Sequence, residues 1–168
     1  MMKTMNMTDY TVVVVGTDGS DLSDQTVARA AWIAKYEDAD LVIVCAYSEM
    51  SRRDEAKNVA TTGGDARTTE VIGRGTASDA MSRAVAVAAK EGATVAAALL
   101  LEGDAGAALV KTARDRNAEL LVIGAHQDRS IADRLLGTVS MEVVKRSPCD
   151  VLIVRPTAPE KQHKPKET

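Results

Sequence analysis

The sequence predicts an α/β domain, an open parallel sheet with helices on both faces. Three observations carry that reading. Five short apolar runs recur along the chain. The stretches between them repeat small apolar residues at helical spacing, and Gly, Asp, Ser or Thr follow the carboxyl ends of the runs. Strands alternating with amphipathic helices assemble into parallel sheets covered on both sides.

The first run, TVVVV at 11–15, ends abruptly at Gly16-Thr17-Asp18-Gly19-Ser20. A β-branched run without alternation is a strand buried on both faces. A helix is expected from Leu22 to Glu37, with Val27, Ala30, Ala31 and Ala34 forming its apolar face. The second strand is LVIVCAY at 41–47. Residues 48–75 are polar, lack a period, and include Gly63-Gly64 and Gly73-Arg74-Gly75, which reads as a turn. This stretch is expected to be a flexible loop over the surface.

Helical order returns at Thr76, where Ala77, Met81, Ala84, Val85 and Ala88 share a face and Gly92 follows as a stop. The third strand is TVAAALLL at 94–101, after which Asp104 can cap a helix whose face is Ala105, Ala108, Leu109 and Thr112. The fourth strand is ELLVIG at 119–124. A loop from Ala125 to Leu136 leads to a last helix that starts near Gly137-Thr138, turns Val139 and Val143 inward and stops before Pro148. DVLIV at 150–154 is the fifth strand. Residues 1–9 and 157–168 are expected to be disordered termini around one domain at 10–156.

Composition narrows the function classes. The 168 residues are 45% hydrophobic and 27% charged, with 2% aromatics and no Phe, so the core must be built from Ala, Val, Leu and Ile. The net charge of -3 and the lack of a basic stripe in the body argue against a nucleic-acid partner. No apolar run has the length of a membrane span. The amino terminus MMKTMNMTDY lacks a secretory stretch, so a cytoplasmic location is expected. Cys45 and Cys149 form no metal or CxxC pattern and are expected to be buried, inert thiols.

In an open parallel sheet, ligands bind outside the carboxyl ends of the strands, where the strand order reverses. Two segments qualify. After strand one, the glycines of Gly16–Ser20 permit a tight turn, and Asp18 can accept hydrogen bonds from an adenine amino group or a ribose hydroxyl. Asp18 and Ser20 are equally suited to capping the following helix. After strand four, Gly124 ends the strand and Gly137-Thr138 opens a helix, whose free N–H groups and dipole attract phosphate oxygens. Thr138 and Ser140 can add hydroxyl donors, and Arg129 and Arg134 positive charge. His126 lies in the loop without a nucleophile or metal set beside it, so no catalytic residue is assigned. No Walker A pattern is present.

Three stretches together resemble the universal stress protein family: Val13 to Ser20 (VVVGTDGS), Arg134 to Val139 (RLLGTV) and Ser147 to Val154 (SPCDVLIV). Gly124, Gly137 and Thr138 also match the spacing G-x2-G-x9-G-[S/T] of its nucleotide-binding members. The resemblance implies a five-stranded order 3-2-1-4-5, which sets the ends of strands one and four side by side. It implies that Ala46 frames an adenine and that Thr17, Asp18 and Gly19 meet the base or ribose. Gly124, Ala125, His126, Gln127, Arg134, Gly137, Thr138, Val139 and Ser140 would surround the phosphates. The ligand would be ATP, AMP or cyclic AMP, with or without magnesium, and no prosthetic group is expected. Weak ATP hydrolysis is the most enzymatic activity implied.

The chain departs from the pattern at Gln127, where the family loop has its second glycine. Either the loop takes another shape that suits a smaller nucleotide such as AMP or cyclic AMP, or triphosphate binding is lost. The bare VLIV edge of strand five is a template for pairing, and a homodimer through that edge is expected.

Overall fold

The computed structural model describes residues 9–49, 71–125, 137–155 and 157. Among the described residues, six strands and four helices follow one another as β1 (Val12–Gly16), α1 (Asp21–Glu37), β2 (Asp40–Ser48), β3 (Val71–Ile72), α2 (Arg74–Lys90), β4 (Val95–Glu102), α3 (Ala105–Asp115), β5 (Leu120–Gly124), α4 (Thr138–Arg146) and β6 (Asp150–Val154).

Every strand pairing is parallel. The five long strands run β4-β2-β1-β5-β6, which is the predicted 3-2-1-4-5 order. Their runs are apolar throughout because both faces are covered. Val13, Val15, Leu41, Ile43, Cys45, Leu120 and Val122 pack under α1 and α2. Val14, Val42, Val44, Leu121 and Ile123 pack under α3 and α4. Val13, Val14 and Val15 are completely buried, so consecutive residues of β1 serve opposite cores.

The stretch at 71–75 differs from its expected form. Val71–Ile72 pair with Tyr47–Ser48 as a two-residue strand, and Gly73 is the N-cap of α2 rather than part of a free turn. A strand of two residues shows no period, so pattern reading has nothing to detect.

The hydrogen bonds locate β3. Carbonyls of successive strand residues point to opposite edges. The Tyr47 carbonyl accepts from Gly103 at the β4 edge (2.9 Å). The Val44 and Ser48 carbonyls accept from Thr17 and Gly73 at 2.9 Å each. β3 therefore lies in the lane of β1, just beyond the point where β1 turns away. Apart from Asp9 and Thr157, the expected termini at 1–9 and 157–168 fall outside the described residues, as does most of the expected loop at 48–75.

Candidate functional site

The site is built where β1 and β5 end as neighbours. They pair at Val13 with Leu120, Val14 with Leu121 and Val15 with Val122. After β1 the chain turns up into α1 on one face of the sheet. After β5 it continues towards α4 on the other. Opposite exits from adjacent strands leave a crevice between them.

The β1–α1 turn is held by its own short side chains. Thr17 extends the ladder with its N–H to Val44. Its side chain is buried, donating to Ser23 Oγ (3.1 Å) and accepting from the Gly19 N–H (3.3 Å). The Thr17 N–H and hydroxyl are thus both committed within the scaffold. Asp18 is exposed, and its Oδ1 accepts from the Ser20 N–H at 2.9 Å. Ser20 caps α1 by accepting from Ser23 N–H at 3.2 Å. The capping role open to this pair falls to Ser20, while Asp18 braces the turn.

Gly19 has φ +80°, and a Cβ there would stand 2.9 Å from the Ala80 Cβ of α2. Glycine is required here both for conformation and for room.

Cys45 lies on β2 beside this turn. Its thiol is completely buried, and burial first, then the Asp18 charge, pushes its pKa up to about 11. It is inert at neutral pH, as expected. Cys149 is only half-buried, with burial the main cause of its raised pKa.

Ala46 is half-buried near the carboxyl end of β2. By strand alternation its peptide groups face the lane shared by β1 and β3. They lie between the Thr17–Val44 bond and the Gly73–Ser48 bond. The Ala46 carbonyl there accepts a weak contact from the Cys45 thiol at 3.9 Å, and the Tyr47–Val71 pairing begins directly beside it.

On the other flank, Gly124 closes β5. A Cβ there would come within 2.9 Å of Thr26 Oγ1 and 3.2 Å of Leu22 Cγ, so the first turns of α1 sit directly on the strand end. This packing is a reason for glycine independent of any ligand. Ala125 is buried, and its N–H donates to Val154 at 2.8 Å.

The helix α4 opens at Gly137, which has no side chain to cap the first turn. Ser20 and Asp104 do cap α1 and α3 with their side chains. Ser140 is buried and its hydroxyl donates to the Gly124 carbonyl (3.2 Å), tying the start of α4 to the end of β5. Its proton is therefore committed. Thr138 is exposed and Val139 packs against the α3–α4 core. His126, Gln127, Arg134 and Arg129 lie outside the described residues.

The structure thus brings Thr17, Asp18 and Gly19 to one side of the β1–β5 boundary and Gly124, Ala125, Gly137, Thr138, Val139 and Ser140 to the other. Among the described residues no group of three His, Cys, Asp or Glu side chains is gathered that could hold a metal ion. No helix among them is long and apolar enough to cross a membrane.

The sequence profile described as "Universal stress protein family" matches residues 9–155. A universal stress protein of Mycobacterium tuberculosis is 37% identical over 151 residues, covering 90% of this chain and all of the relative. One from Thermus aquaticus is 30% identical over 154 residues, covering 87% and 99%. Among solved structures, a universal stress protein in complex with cAMP is 37% identical, with a TM-score of 0.67 over 88% of this chain and 98% of that one. A universal stress protein from Lactobacillus plantarum shares the fold at 21% identity, with a TM-score of 0.65 over 88% and 99%. The chain belongs to the universal stress protein family.

Proposed function

We propose that this protein is a cytoplasmic regulatory module of the stress response that binds an adenine nucleotide in the β1–β5 crevice. The observation that carries the reading is the pairing of two features across that boundary. One is a glycine turn bearing an exposed carboxylate, and the other is a helix start that no side chain caps among the described residues. A carboxylate accepts from amino or hydroxyl groups of a nucleoside, and an uncapped helix start receives a phosphate. The complex of a 37% identical family member with cAMP supports the same ligand class.

The base would lie beside Ala46 and the ribose at Asp18. The phosphate would meet the main chain of Gly137–Ser140, with Gly124, Ala125, His126, Gln127 and Arg134 around it. Gln127, in place of a glycine, favours a ligand with one phosphate, AMP or cyclic AMP, over ATP.

Calorimetric titration of dialysed protein with cyclic AMP, AMP and ATP, each with and without magnesium, tests this. Micromolar binding of a monophosphate, weakened at least tenfold in Asp18→Ala, is expected. Folded, nucleotide-free protein that takes up none of the three would instead leave a nucleotide-independent interaction protein. That second reading has its own observation. On the β6 flank, Met141 and Val144 of α4 are 41% and 47% exposed, and Val151 to Val154 are only half-buried. A homodimer through the β6 edge would cover these groups, with or without a ligand.

A further inference from the structure

The turn that carries Thr17, Asp18 and Gly19 is gripped from outside by one helix, α2. Ala80 lies against the Gly19 Cα, at a distance that leaves no room for a Cβ. One turn further along α2, the Arg83 guanidinium reaches three acceptors. Nη1 donates to the Gly19 carbonyl at 3.2 Å. Nε donates to Asp24 Oδ2 at 2.8 Å, and Nη2 meets Asp24 Oδ2 and Asp21 Oδ1 at 2.5 and 3.0 Å.

The acceptors sit on the turn and on the first residues of α1, which the turn launches. Exposed ion pairs contribute little to stability, because water and salt screen them. Arg83 is about half exposed, so holding the fold together is a poor account of it. The three contacts share a geometric result instead. A planar fork with fixed N–H directions holds the Gly19 peptide in one orientation relative to α1 and α2.

We infer that Arg83 is a positioning residue for the nucleotide turn. By fixing the Gly19 carbonyl it orients the peptide next to Asp18, and so sets how well the turn meets a ligand. Affinity is then coupled to the placement of α2, which follows directly on β3 and Gly73. A glycine at φ +80° has little intrinsic preference for this one conformation, so an external clamp has work to do there. Lysine cannot replace the fork, since a single ammonium does not span the Gly19 carbonyl and both carboxylates in that geometry.

The inference rests on the nucleotide reading above, and the test separates the two. Arg83→Ala, Arg83→Lys and a control, Lys111→Ala, are compared with wild type. Lys111 pairs with Asp115 on the exposed face of α3, away from the turn. Two quantities are measured: affinity for AMP by calorimetry and amide hydrogen exchange at Gly19 and Ser20 without ligand.

Arg83→Ala is expected to weaken AMP binding at least fivefold and to speed exchange at these two amides at least tenfold, with its thermal midpoint within about 3 °C of wild type. Arg83→Lys should likewise keep the midpoint without restoring the affinity. Lys111→Ala should match wild type in affinity and exchange. Unchanged exchange in Arg83→Ala overturns the inference whether or not a nucleotide binds. Unchanged affinity, in protein whose wild type binds, overturns it as well. If wild type binds no nucleotide while the amides of the variant exchange faster, the functional reading fails and the clamp stands.

Discussion

The Ser140 hydroxyl donates to the Gly124 carbonyl across 3.2 Å, joining residues sixteen positions apart in the chain. Gly124 is the last residue of β5, and Ser140 is in the first turn of α4. The bond fixes the start of α4 against the strand end.

Ser140→Ala removes this donor from a buried position. A typical net loss of about 1 kcal/mol in unfolding free energy is expected. Because α4 is then less firmly seated, AMP affinity should fall several-fold further than that loss of stability explains. Urea unfolding and titration of the same preparation measure the two effects separately.

Gly19→Ala combines backbone strain with a steric conflict. The positive φ costs a non-glycine residue roughly 1–2 kcal/mol. The new Cβ also meets Ala80 at 2.9 Å. The single variant should lose at least ~2 kcal/mol. In the double variant with Ala80→Gly, the steric part is relieved and the strain remains. The double loss should therefore be smaller than the sum of the two single losses, and additive losses would rule out the contact.

Glu119 governs part of the acid stability. Burial raises the pKa of its carboxyl, but hydrogen bonds from the Val12 N–H and from the Thr11 hydroxyl and N–H outweigh this, and the net pKa lies below the usual 4.5. A carboxyl with a lower pKa in the folded state contributes stability that is fully present above 4.5. That contribution is lost as pH falls through the lowered value. Glu119→Gln should be less stable than wild type at pH 7, and the difference should shrink as pH drops below 4.5. Chemical unfolding at a series of pH values gives the curve. A gap that stays constant would remove Glu119 from the account.

The β6 edge predicts concentration dependence. If a twofold dimer covers Ile153 and Val144, Ile153→Lys and Val144→Glu should each shift sedimentation towards the monomer. The thermal midpoint of wild type should rise with protein concentration, and that of the variants should not. Wild type that sediments as a monomer at high micromolar concentration would dismiss the dimer.

Some of this architecture is local in origin. VVVV at 12–15, LVIVC at 41–45 and LLVI at 120–123 are strands because β-branched and leucine side chains suit a sheet covered on both faces. Ala30, Ala31, Ala34, Ala77, Ala84 and Ala88 bring the helices close to that sheet. Their spacing shows which face turns inward. Such features depend on neighbours within a few positions, so the alternation of strands and helices, and with it the two strand ends worth inspecting, could be read directly from the order of residues. The order of the strands came through likeness to a family rather than from any local pattern.

Other features depend on residues distant in the chain, and only the tertiary structure decided them. β3 owes its two residues of pairing to the free edge of β2 beyond the turn of β1. Gly124 is needed for the approach of Thr26 and Leu22, and the Thr17 and Ser140 hydroxyls are spent inside the scaffold. Arg83 is one of many exposed helical arginines until the fold sets it beside acceptors 59 to 64 positions away. Side-chain type and spacing specify which elements form. Which groups remain available to a ligand is settled by contacts between those elements, where packing and hydrogen bonding consume some donors and leave others facing the crevice.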